Sequence, residues 1–82
     1  MSYVEVTVFV WREGKWYVAY EPTSGVASQG RSVNEALSNL KEALELYLEE
    51  EDAEVYQIER VMITKLKIPV EKKHVAEVAQ KT

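Results

Sequence analysis

The chain has 82 residues and a mass of 9.4 kDa, a length that allows one domain and hides only roughly 60% of the surface exposed on unfolding. Without cysteine and with a single histidine, it can build neither a disulfide framework nor a tetrahedral zinc site, and 46% apolar residues exclude a disordered chain. Ten basic and 14 acidic side chains leave a formal charge of −4, which speaks against a general nucleic-acid binder. No apolar run approaches the ~18 residues of a membrane span and no signal-like segment opens the chain, so a cytoplasmic protein that avoids membranes is expected.

Residues 3–11 (YVEVTVFVW) alternate strictly, with Val4, Val6, Val8 and Val10 on one side. Their β-branched and aromatic content predicts a strand. Residues 12–14 then read as a three-residue hairpin loop, with Gly14 in the left-handed position, leading to a second strand over 15–21. That loop aligns Val10 with Trp16, Val8 with Val18 and Val6 with Tyr20, and leaves Glu5, Thr7, Phe9, Trp11, Tyr17, Ala19 and Glu21 on the other face. Pro22 to Gly25 turns the chain, and residues 26–29 suit a short third strand closed by Gly30.

Ser32 and Glu35 form the capping box of a helix running to about Glu50. Val33, Leu37, Leu40, Leu44, Tyr47 and Leu48 fall along it as an apolar stripe. Residues 55–70 alternate again and predict a fourth strand, with a phase switch near Val61-Met62 and a stop at Pro69. The expected fold is α+β, in the order β-β-β-α-β, an antiparallel sheet with one helix on one face. Residues 1–70 form the domain, and 71–82 form a short tail able to make one or two helical turns.

Few residues suggest chemistry. Gly25 to Ser32 has phosphate-loop spacing, but Arg31 replaces the lysine and the segment between the glycines reads as a strand. Glu5 and Glu21, neighbours across the expected hairpin, could hold a divalent metal for ribonuclease chemistry. Two carboxylates are a thin ligand set, and solvated sheet rim is the plainer reading. His74 has no partner for acid–base work. Neither a catalytic residue, a metal nor a cofactor is expected.

Phe9, Trp11 and Tyr17 share the face away from the helix and predict a surface for a protein partner or for self-association as a dimer or tetramer. Charge divides unevenly along the chain. Residues 1–54 carry 4 basic and 11 acidic side chains, net −7, whereas 55–82 carry 6 and 3, net +3. Arg60, Lys65 and Lys67, with Lys72 and Lys73, form the basic segment, which could touch nucleic-acid phosphates or protect an edge strand from aggregation.

The ordered series Trp16-Tyr17-Val18-Ala19-Tyr20-Glu21-Pro22, Gly25, Ser28-Gln29-Gly30, Glu35-Ala36-Leu37, Asn39-Leu40 and Lys41 to Glu49 (KEALELYLE) resembles the HicB-like antitoxin family over residues 3–68. The resemblance implies a partial ribonuclease-H-like fold without nuclease activity. It also implies direct binding of a small basic mRNA-cleaving HicA-like toxin, which has a double-stranded-RNA-binding-like fold. Many such antitoxins add a C-terminal module that represses their own operon. The dozen residues after the expected last strand are too few for it, so a toxin-binding or orphan domain is expected.

Overall fold

The structure, a computed structural model, describes residues 2–71. Strands β1 (Phe9–Glu13), β2 (Trp16–Glu21) and β3 (Val26–Gly30) precede one helix, α1 (Val33–Tyr47). The strands pair antiparallel in the order β1-β2-β3, and the helix lies against β3 and β2. The α+β class is as expected.

The hairpin corrects the expected register. Arg12 and Glu13 continue the strand, and the turn is the two-residue Gly14-Lys15, with Gly14 at φ 61° and no non-glycine residue at positive φ among the described residues. Glycine in the first central position suits a type II′ hairpin, whose twist matches the flanking strands. Val10 therefore faces Ala19, Trp11 faces Val18 and Phe9 faces Tyr20. The slip from the expected pairing is an odd number of residues, so the two strands exchange faces relative to one another. Beneath the helix lie Tyr17, Ala19 and Glu21, with Val26, Ser28 and Gly30 of β3 in register with them. Ala19 is the physical reason. A helix settles closely on a small residue, and Ala19 is fully buried in one cluster with Ala36, Leu40 and Leu44.

Two features pin the start of the helix. Ser32 Oγ accepts the Glu35 N–H at 3.0 Å, which satisfies a donor the helix leaves open, and the Glu35 carboxylate accepts the N–H of Arg31, the residue before the cap, at 2.6 Å. Gly30 lets this end approach β3, because a Cβ there would stand 2.6 Å from the Ala36 nitrogen. Asn39 Nδ2 adds a bond to the Gln29 carbonyl at 2.9 Å. The helix ends at Tyr47, a turn short of the expected stop, with Leu48 as C-cap and no basic residue in its last turn. Acidic residues 49–54 sit where the helix dipole is negative and do not extend it.

The expected fourth strand is absent among the described residues. Residues 55–71 form no strand, and from Glu59 onward they are exposed. Only Val55 and Ile58 are half-buried, and the apolar row that begins at Met62, after the phase switch at Val61-Met62, meets no surface among the described residues. Residues 2–8 likewise pair with no strand. The Cα radius of gyration is 15.7 Å, against about 12 Å for a compact chain of this length.

Candidate functional site

The sheet face opposite the helix is aromatic. Alternation along the hairpin places Phe9, Trp11, Trp16, Val18 and Tyr20 on it together. Trp11 meets Tyr20 edge-on, with ring centroids 6.3 Å apart at 68°, a geometry the ring quadrupoles favour. Trp11 Nε1 donates to Glu13 Oε2 at 2.8 Å, which fixes the indole while the residue remains 41% exposed. The Arg31 guanidinium lies 5.2 Å from the Trp16 ring centre in a cation–π contact. A patch of this kind, with rigid rings at its centre and charges at its rim, has the composition of a protein-binding surface.

Of the expected face residues, Phe9 and Trp11 belong to this patch and Tyr17 does not. The II′ turn sends Tyr17 to the helix side, where it packs on the core cluster. Sequence reasoning missed Trp16, Val18, Tyr20 and Arg31. The place of Gly14 in the turn sets the parity that brings Trp16, Val18 and Tyr20 to this face, and Arg31 joins them from beyond β3.

The carboxylate pair comes apart. One step beyond the Phe9–Tyr20 pair, Glu21 falls level with Val8, three residues or about 10 Å of strand from Glu5. Glu5 is exposed, whereas Glu21 is fully buried and already occupied. Its Oε2 accepts the Thr23 N–H at 3.0 Å and the Thr23 hydroxyl at 2.7 Å, and its Oε1 accepts the Ser24 N–H at 2.7 Å. Burial pushes the Glu21 carboxyl up, but hydrogen bonds from Ser24 and Thr23, side chain and backbone, outweigh it and hold it below its ordinary value. This carboxylate organises the 22–25 turn, in which Gly25 takes φ 79°. No group of three or more metal-ligating side chains occurs among the described residues.

Gly25 and Gly30 bracket β3 rather than a phosphate cradle. Arg60, Lys65 and Lys67 are exposed along the irregular 59–71 stretch. His74, Lys72, Lys73 and the helical turns expected in the tail lie outside the described residues. No helix among those described is long and apolar enough to cross a membrane.

A second concavity lies on the helix side. It is an apolar groove of about 580 Å³ between residues 2–8 and the C-terminal half of α1, walled by Val4, Val6 and Val8 facing Leu37, Leu44 and Leu48. Leu37 and Leu48, expected in the buried stripe, remain exposed there, because none of the described residues closes the groove over them.

No solved structure matches the chain. A UPF0150 protein of Helicobacter pylori (strain J99) is 40% identical over 50 residues, which cover 60% of this chain and 69% of that protein. The model of a family of unknown function, DUF7387, matches residues 3–78, so the chain belongs to that family.

Proposed function

We propose that this chain is a non-catalytic, cytoplasmic protein-binding domain of the HicB-like antitoxin type, which neutralises a small basic mRNA-cleaving toxin by direct contact. One observation carries it: Phe9, Trp11, Trp16 and Tyr20 lie side by side on the sheet face that the helix leaves uncovered. Aromatic anchors supply most of the energy of such interfaces. The motif series over residues 16–49 supports the family resemblance. The net −7 of residues 1–54 suits capture of a basic partner, since complementary charge speeds encounter and excludes wrong partners. Glu21 supports a structural rather than catalytic use of the buried acid, because its oxygens are taken by Thr23 and Ser24.

The test is co-expression with the toxin encoded beside the gene. Growth rescue and a purified complex are expected, both lost in Trp11→Ala/Trp16→Ala. A chain that neither rescues growth nor binds that toxin would overturn the proposal.

A further inference from the structure

Two stretches of this chain have the pattern of strands and the pairing of neither. Residues 3–8 alternate Val4, Val6 and Val8 with Tyr3, Glu5 and Thr7, and overrun the end of β2. Residues 61–68 carry Met62, Leu66 and Ile68 on one side, at 88, 82 and 68% exposure. Apolar side chains in such a row are an aggregation hazard unless something covers them. Among the described residues nothing covers the helix-side groove beside residues 3–8, and Leu37 and Leu48 stand open along its wall.

We propose that residues 61–68 of one copy add as a strand beside residues 3–8 of a second copy, seating Met62, Leu66 and Ile68 in the groove against Leu37, Leu44 and Leu48. Charge selects this occupant. Residues 60–70 carry Arg60, Lys65 and Lys67 and no acid, while the receiving surface has Lys41 and Glu45 in the groove wall, Glu5 beside it and the acidic run 49–54 beyond Leu48, an acidic balance. Unpaired and exposed along its length, the segment has the disposition an exchanged arm requires. Reciprocal exchange uses the same two surfaces on both copies, so it closes at a twofold dimer and does not propagate into a fibre. Main-chain pairing fixes the strand, and the side chains in the groove fix its register.

The chain has no cysteine, so introduced thiols report unambiguously. Val4→Cys or Val6→Cys protein is mixed with Met62→Cys, Leu66→Cys or Ile68→Cys protein and oxidised. Disulfide-linked heterodimers are expected from at least one mixture. When the best pair is combined in one chain, the linked dimer is again expected. A disulfide closed within single chains, or no cross-link in any mixture, would overturn the proposal.

Light scattering on a sizing column should give about twice 9.4 kDa for the native chain and the monomer mass for Met62→Asp/Leu66→Asp. Those two side chains are almost wholly exposed in the single chain, so its circular dichroism should keep the helix. A native monomer, or a dimer that survives in the variant, refutes the exchange. So does a chain in which residues 61–68 serve only to hold the toxin. This outcome is separable from the toxin proposal: a dimer that rescues no growth leaves the exchange standing, and a monomer that rescues growth leaves the other.

Discussion

The Thr23 hydroxyl donates to Glu21 Oε2 at 2.7 Å, and Thr23 Oγ1 in turn accepts the Tyr56 N–H at 3.0 Å. One side chain thus joins a buried carboxylate at the end of β2 to the segment that returns from the helix. Tyr47 assists from the other end of the return, its hydroxyl donating to the Glu54 carbonyl at 3.1 Å. Val55, between these two anchors, packs on the core cluster.

Removing that hydroxyl in Thr23→Val leaves Glu21 short of a donor and Tyr56 short of an acceptor. The charge-assisted bond to Glu21 contributes about 1.5–3 kcal/mol and the neutral bond from Tyr56 about 1 kcal/mol or less, so the urea midpoint should fall accordingly. Thr23→Ser, which keeps the oxygen, should retain most of the stability.

Glu21 also sets a pH dependence. Its carboxyl is held lower in the folded chain than in the unfolded one, so between those two values the unfolded state binds more protons. The contribution is therefore complete above the unfolded value of about 4.3 and is lost as pH falls through the folded value. Urea titrations from pH 6 to pH 3 should show this acid loss, and Glu21→Gln should flatten it at the cost of lower stability at neutral pH.

Gly30 admits no side chain. In Gly30→Ala the new Cβ meets the Ala36 nitrogen at 2.6 Å and Glu35 Cβ at 2.8 Å, both on the first turns of α1, which must lift. Overpacking of this sort costs about 2–3 kcal/mol, or roughly 10–20 °C in the melting temperature of a small domain. Ser32→Ala, which removes only the cap, should cost about 1 kcal/mol.

Adjacent aromatics Trp16 and Tyr17 should separate cleanly. Tyr17→Ala removes a side chain packed on the core cluster and should lower stability by about 2–3 kcal/mol. Trp16→Ala should change stability by less than about 1 kcal/mol and, under the proposed function, should weaken binding of a toxin instead. Denaturant melts of both variants, run beside a binding assay, check the pairing register and the role of the open face together.

Those two residues also explain which parts of the fold were legible in the sequence. The helix start at Ser32 and Glu35, the turn at Pro22 to Gly25 and the existence of three strands each rest on local chemistry, although the first strand, expected over 3–11, spans Phe9–Glu13. The register was not legible, because Trp16 and Tyr17 are both large and apolar. Either parity of the hairpin yields a plausible core, and the glycine at 14 fits either loop. What decides is tertiary: α1 needs Ala19 beneath it. The stretch 55–70 misled in another way, since alternation reports what a strand could bury and not which chain supplies the surface. The candidate face was found by its aromatic content and misassigned in one member, Tyr17, by the same parity error.

The open groove along Leu37, Leu44 and Leu48 has a thermodynamic consequence. A fold whose apolar cover comes from another molecule has a stability that depends on its own abundance, because mass action adds the binding free energy only when copies meet. Dilution should then lower the melting temperature even though no bond within the chain has changed. In a cell, the rate of synthesis would set how much of the protein stays folded.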